Sequence, residues 1–542
     1  MGLQKRRSFI RRFLMGTGVA AAFLFESCWK PFKIRLNWSN ALLIGGVDPQ
    51  KILIPSSLQE LVDTTVGAEL DNSSLKMVGA GHSFSDVAFC RKTLLLPENL
   101  NKELVLNRSI LNETSKDNEQ LVEVEAGMSI ETLNKILDEN DLALENMGGY
   151  DAQTISGAIM TSTHGSGLLF GPINDQIRSM TVVASKGRVL VVEPTNGITD
   201  PDKFDGFIKI GDQVPVSATL IQNDNYFNGI VVSMGSCGVI YSVVLETVPK
   251  FWLNEVRTVT TWGELIAPGG FLRRLVDGER IGEQADQPKY YEIYFNPYCR
   301  TSTDLKDHTC LLTERYVIDN PGELSRKERK RGRQGNKALA SLTRLTKEGE
   351  SLVRFFNKHP NYIPKFIEKS LKELRDDSYK NISHKVFHIG APNDMRAYGI
   401  EMCFKLEHII AAVESCFVHA KACQKRGWMH SAPPSLRFVN QSNAFMSMTN
   451  NQVSAFMEMG ILVGSNGSDE FLKSYERLFI EKFGARPHWG LDLDILSNVD
   501  QVRALYGSSC DEWLGVYQDM NSTGVFNGQF TDRLGISVLK DS

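Results

Sequence analysis

The sequence predicts an α+β fold of more than one domain. Three observations carry this. Residues 45–250 mix short strand and helix patterns with tight glycine turns. The texture changes after Pro249, where Tyr- and Phe-rich strands and longer helical stretches take over. The length of 542 residues exceeds one domain at roughly 100–200 residues each.

The elements follow in order. Lys51–Pro55 reads as a short strand, Ser56-Ser57 as a cap, and Leu58, Leu61 and Val62 as the apolar positions of a helix. Lys76-Met77-Val78 is a strand that runs into Gly79-Ala80-Gly81. Thr93–Leu96, Leu121–Glu125 and Thr181–Ala184 are strand candidates. Ser129 caps a helix to Asn140 with Leu133, Ile136 and Leu137 on one face. Gly187 turns a hairpin between Met180–Ser185 and Arg188–Glu193, and Ile230–Val232 and Val239–Thr247 bracket a glycine-rich turn. Beyond Pro249, Lys289–Phe295 is a strand and residues 341–372 are helical. The basic run Arg326–Arg333 reads as a solvated loop or helix face. Residues 467–482 form a helix with Phe471, Tyr475, Leu478 and Phe479 facing inward.

Composition narrows the function classes. The chain is 42% hydrophobic and 23% charged, with 60 basic against 64 acidic residues and a net charge of −4. That balance calls for neither nucleic acid nor an anionic membrane as partner. Nine cysteines without a C-x-x-C pair read as mostly buried thiols, and no metal site is expected. The N-terminus places Lys5-Arg6-Arg7 and Arg11-Arg12 before an apolar run, Phe13–Phe25, too short for a comfortable bilayer span of roughly 20 residues. Arg6-Arg7-x-Phe9-Ile10 resembles a twin-arginine signal, which exports folded proteins. Export to the periplasm or beyond is the expectation. An uncleaved membrane anchor is the alternative.

Two segments carry chemistry. Val78-Gly79-Ala80-Gly81-His82-Ser83 places glycines at a strand end, where backbone can approach a ligand closely. Ser156-Gly157-Ala158 and Thr163-His164-Gly165-Ser166-Gly167 crowd hydroxyls and free backbone N–H groups into one loop, which suits a pyrophosphate. The loop lacks both the Gly-Lys-Ser/Thr ending of a Walker loop and the G-x-G-x-x-G fingerprint. Taken singly, the first segment can be an ordinary turn and the second a polar loop.

Taken in order with Asn37-Trp38, Val122–Gly127, Gly235-Ser236-Cys237-Gly238-Val239-Ile240 and Arg486-Pro487-His488-Trp489-Gly490, these segments resemble the vanillyl-alcohol-oxidase superfamily. The branch is that of aldonolactone and alditol oxidases. The resemblance is strong over 35–250 and weaker over 400–490. Residues 255–395 are longer than in small sugar oxidases and similar in length and helical content to covalent-FAD cholesterol oxidases. The resemblance implies a two-subdomain PCMH-type FAD-binding domain over 31–250 and an α+β cap domain over 251–480. A segment over 481–542 returns to the FAD domain, and residues 1–30 are the signal.

The same resemblance implies FAD bonded through His82, with simple contact as the alternative. It implies that Gly79, Ala80, Gly81, Ser83, Ser156, Gly157, Thr163, His164, Gly165, Ser166 and Gly167 line the cofactor. Val239 and Ile240 would meet the adenine end. Oxidising an alcohol needs a hydride acceptor, a proton acceptor and positive charge beside the reduced ring. Glu401 is the candidate base, and Arg437 and His488 are the remaining candidate catalytic residues. Each has a plain alternative: a carboxylate paired with Lys405, a structural ion pair and a core histidine. Leu491 stands where sugar-oxidase relatives carry lysine, which weighs against small polyols and lactones unless Arg437 supplies the charge. The expected function is FAD-dependent oxidation of a CH–OH group, of a sugar-1,4-lactone or polyol, with oxygen or another acceptor. The alternatives are a sterol alcohol oxidase and a non-catalytic flavin-binding or electron-transfer protein.

Overall fold

The computed structural model describes residues 37–539 apart from 212, 300–303, 335–345 and 389–395. The signal segment lies outside the described residues, as do the first residues of the helical stretch expected from 341. Among the described residues, no helix is long and apolar enough to cross a membrane.

Among the described residues, the N-terminal half is built on two main sheets beside three two-stranded ribbons. A three-stranded parallel sheet joins β1 (Lys51–Leu53), β2 (Leu75–Met77) and β3 (Thr93–Leu95), with β3 in the centre. Helix α1 (Leu58–Leu70) starts where the Ser57 hydroxyl accepts the Glu60 N–H, and it buries Leu58 and Leu61. The second sheet has six strands. They are β4 (Glu103–Leu104), β5 (Leu121–Glu125), β6 (Ile177–Val183), β7 (Val189–Glu193), β8 (Thr219–Gln222) and β9 (Val239–Glu246), in the order β8-β7-β6-β9-β5-β4. The β6–β7 pair is the expected hairpin, with Gly187 at φ +65° in its turn. Ile230–Val232 is not a strand: it ends helix α2 (Asp224–Ile230) and continues as a turn. The cap on that helix, Asn223 accepting the Tyr226 N–H, starts a helix that local β-propensity at Ile230–Val232 does not override.

The second half is one antiparallel sheet of eight strands. They are β10 (Trp252–Thr261), β11 (Tyr290–Phe295), β12 (Thr309–Ile318), β13 (Asp376–Ile382), β14 (Ala397–Lys405), β15 (Ser435–Val439), β16 (Ser454–Leu462) and β17 (Arg486–Pro487). Their order is β13-β10-β12-β11-β15-β16-β14-β17. Side chains alternate across a strand, so each face can be read separately. Ile400, Met402, Phe404, Leu436, Phe438, Met457 and Ile293 form one apolar face. It packs under helices Ile409–Gln424 and Ser468–Phe483, whose Phe471, Tyr475 and Phe479 are fully buried. Each such side chain contributes roughly 1.5–3 kcal/mol by burial. The intervening residues Glu292, Glu401, Arg437, Phe456 and Glu458 fall on the other face by the same alternation. Cys403, Val439, Phe456 and Tyr290 of that face share a core with Val124, Ile155 and Ile240 of the first half.

The last helices return to the first half: Arg533 pairs with Asp86 at 2.8 Å, and Val516 fills the space beside Gly229. Of the eight cysteines in the described residues seven are buried and all are free thiols. The basic run is a helix, Arg326–Gln334, but it is not wholly solvated. Arg331 is largely buried, pairs with Glu255 and with Asp376, and stacks on Tyr379. Buried carboxylates on the sheet draw it inward, which a count of local charge cannot show.

Candidate active site

The two glycine loops meet. Strand β2 delivers Val78 to the Leu95 carbonyl, and the chain then turns through Gly79–Ser83. Thr154 caps the short helix Ile155–Met160 by accepting the Gly157 N–H. A Cβ at Gly79 would lie 2.0 Å from the Thr154 hydroxyl, and one at Gly157 3.1 Å from the same oxygen. Both glycines therefore face one threonine from loops about 75 residues apart. Gly81 sits at φ +76°, in the region that favours glycine.

A third segment locks onto this pair. The Phe84 N–H donates to the Gly490 carbonyl and the Ser85 hydroxyl to that of Trp489. Arg486 and Trp489 are structural. The guanidinium donates to the carbonyls of Met448, Asn450 and Leu505, and the indole to that of Met446. This fixes His488, whose N–H donates to the Glu401 carbonyl.

The result is a continuous groove. Its narrower end is lined by Gly79, Ala80, Gly81, His82, Ser83, Thr154 and Gly157. Its wider end, a cavity of about 210 Å³, is lined by Phe84, Tyr150, His164, Tyr398, Glu401, Arg437 and Glu458. His82, Gln153, Thr163, His488 and Leu491 line both ends. Glycine-walled backbone at one end and ionisable side chains at the other suit a dinucleotide with a reactive ring. The Gln153 side-chain oxygen is buried on the groove wall without a hydrogen-bond partner, as expected of a group that meets a ligand.

Other expected residues lie outside the groove wall, each with a local reason. The Ser156 hydroxyl donates to the Ala126 carbonyl. Gly165 packs against Asn146 and Met147, where a Cβ would lie 2.0 Å from the Asn146 oxygen. Ser166 joins the halves, donating to the Tyr291 carbonyl and accepting the Phe438 N–H. Gly167 bridges to Val439, and Val239 and Ile240 are buried in β9 against β6.

At the ring end, Glu401 is 5% exposed. Its Oε1 accepts from Arg437 Nη1 at 3.1 Å and its Oε2 lies 3.4 Å from His164 Nε2. Lys405 is exposed and does not pair with it. Burial pushes the Glu401 carboxyl up, but His164 in its protonated form, and then Arg437, pull it well below the usual range. Arg437 also reaches Glu292 at 3.3 Å and Glu458 at 2.7 Å. Burial lowers His488 to about 4, so its ring is neutral near pH 7. Its Nδ1 accepts the Gly490 N–H at 3.0 Å, which places the ring proton on Nε2. His82 is also lowered by burial. One donor atom each from His164, Glu401 and His488 lie within 4.8 Å of one another. The guanidinium on Glu401 and the proton on His488 make this a proton-handling cluster rather than a cation site.

Sequence reasoning missed Glu292, Glu458 and Gln153. The signal for the first two was available: a lone carboxylate in an otherwise apolar strand, Tyr-Tyr-Glu292-Ile-Tyr-Phe and Phe-Met-Glu458-Met.

Comparison with known proteins agrees with this geometry. Residues 49–193 match the FAD binding domain family and residues 283–534 the D-arabinono-1,4-lactone oxidase family. The chain is 23% identical to an L-gulono-1,4-lactone dehydrogenase of Mycobacterium tuberculosis, over 82% of this chain and 86% of that one. It is 22% identical to an L-gulonolactone oxidase of Mus musculus, over 92% and 97%. In fold it is similar to a cholesterol oxidase from B. sterolicum, with a TM-score of 0.68 at 15% identity over 92% and 96%. The chain joins an FAD binding domain to a D-arabinono-1,4-lactone oxidase domain, in that order, and it is an FAD-dependent oxidoreductase.

Proposed function

We propose that the protein oxidises a CH–OH group of a sugar-1,4-lactone, with FAD lying along the groove. The observation that carries this reading is the convergence of the two glycine loops on a groove whose far end is walled by Glu401, Arg437 and His488. Bound FAD supplies the hydride acceptor. Around it, Arg437 keeps a cation in the cavity wall where Leu491 offers none, and His488 presents Nε2–H as a donor to a substrate oxygen. Glu401 and His164 form the proton-accepting side.

The reading extends to covalent attachment at His82, which stands where the two ends of the groove join. Burial keeps this ring neutral, leaving a nitrogen lone pair for bonding. It extends also to export through the twin-arginine-like segment around Arg6-Arg7, with an uncleaved membrane anchor as the alternative. An exported flavoenzyme gains from a cofactor that cannot dissociate.

The test is anaerobic mixing of the purified yellow protein with L-gulono-1,4-lactone, D-arabinono-1,4-lactone, xylitol and cholesterol. Bleaching of the flavin by a lactone is expected. Bleaching by cholesterol alone selects the sterol reading, and no bleaching by any alcohol leaves a flavin-binding protein. Stoichiometric hydrogen peroxide in air marks oxygen as acceptor, and turnover only with an added dye marks a dehydrogenase.

A further inference from the structure

His164 entered as a residue of the cofactor loop, yet its side chain faces Glu401. Its Nδ1 lies 2.9 Å from the Gly165 carbonyl oxygen, an atom that can only accept. Nδ1 therefore carries a proton, and in the neutral ring Nε2 is bare. That Nε2 is buried, without a hydrogen-bond partner, and 3.4 Å from Glu401 Oε2. Two electron-rich atoms face each other across a gap that one proton would close.

The ring is held in this pose. Phe456 stacks on it with centroids 3.7 Å apart, and the Gly165 carbonyl anchors Nδ1. The other groups at the cavity leave the task to this pair. Glu401 already accepts from Arg437, which weakens the carboxylate as a base on its own. His488, following β17, is a donor there because its Nδ1 is taken by the Gly490 N–H. Arg437 on β15 is a permanent cation, shared with Glu292 on β11 and Glu458 on β16. His82, Tyr150 and Tyr398 complete the ionisable lining.

We propose that His164 and Glu401 act as one proton acceptor in which His164 holds the proton; this rests on reading the site as alcohol-oxidising. In the step, the substrate O–H bond breaks and its proton forms an N–H bond at Nε2, closing a charge-assisted N–H···O contact to Glu401. The C–H bond breaks with its electron pair leaving as hydride to oxidised flavin, and the C=O bond forms. The substrate loses two electrons and the flavin gains them.

The experiment is the anaerobic reductive half-reaction with L-gulono-1,4-lactone from pH 5 to 9. In wild type, solvent protons fill the gap as pH falls, so the rate has a one-proton acid limb. His164→Gln should retain the flavin spectrum and slow reduction about 100-fold or more. Its acid limb should move to the carboxylate range or vanish. Adding Glu401→Gln to it should cost little more than either change alone. A His164→Gln variant with the wild-type limb and a rate within about threefold overturns the proposal. Should that variant not fold, Glu401→Gln decides: its amide N–H fills Nε2 and should remove the same limb, and a retained limb overturns the dyad. Failure of both lactones to reduce the wild-type flavin defeats the substrate assignment alone. The dyad is then decided by nitrogen-15 NMR of histidine-labelled, FAD-loaded protein. The resonance that moves in Glu401→Gln should keep Nδ1 protonated throughout and gain a second proton as pH falls. A bare Nδ1 at high pH overturns it.

Discussion

Arg437→Met should destabilise the protein strongly near neutrality and far less in acid. The guanidinium touches Glu401, Glu292 and Glu458 at 3.1, 3.3 and 2.7 Å. The Glu458 side chain is 39% exposed, so its contact is discounted for solvent screening. Glu292 keeps Arg315 at 3.2 Å, so Glu401 is the carboxylate left without its guanidinium. Removing one partner of a buried pair costs about 3–5 kcal/mol. With an unfolding entropy of roughly 2.1 cal/mol/K per residue, a unit of about 500 residues shifts by ~1 °C per kcal/mol, so Tm should drop by about 3–5 °C. The sign with pH follows from linkage. Both Glu292 and Glu401 are held below the ordinary carboxylate range in the folded protein. Their contribution is fully present above that range and is lost only as pH falls below it, through their lowered folded values. In the variant their folded values rise, and the penalty disappears once the carboxyls are protonated. Scanning calorimetry of both proteins, supplemented with FAD, should show the gap widest at pH 7–8 and narrowing as pH falls into the acid range. A gap that is constant with pH, or below about 1 kcal/mol throughout, refutes the reasoning.

Three further outcomes are expected. His82→Ala should release its flavin into the supernatant on acid precipitation, whereas wild type should give a yellow pellet; colour in the supernatant of both removes the covalent assignment. Gly79→Val should prevent flavin incorporation, because its Cβ would meet the Thr154 hydroxyl at 2.0 Å, and a normal flavin-to-protein absorbance ratio would contradict this. Glu476 is fully buried with neither oxygen hydrogen-bonded, and burial, then Asp492, pushes it up to about 8. It enters the folded state protonated, a cost that grows as pH rises above the ordinary carboxylate value toward 8. Glu476→Gln should therefore stabilise by a few kcal/mol at pH 8 and by nothing at pH 4, read by thermal melts; an equal effect at both would contradict the assignment.

Much of the fold was legible where local physics dominates. The cap at Ser129, the hairpin at Gly187 and the inward stripe Phe471, Tyr475 and Phe479 each depend on neighbours within a few residues. Ile230–Val232 misled because β-branched residues favour a strand, while the Asn223 cap upstream had already committed the chain to a helix. Arg331 misled for the opposite reason: its partners Glu255 and Asp376 come from strands at least 45 residues away.

The candidate site divides in the same way. Sequence alone determined which backbone could approach a ligand, because Gly79, Gly81 and Gly157 lack a Cβ wherever they are placed. The family resemblance also singled out Glu401 and Arg437 as candidates. Only the tertiary structure decided that Glu292, Glu401, Arg437 and Glu458 meet on one face, and that His164 turns its bare nitrogen to Glu401 rather than to the glycine loop. Electrostatic coupling depends on distances of 3–4 Å, and here those distances are set by the register of strands that lie far apart along the chain.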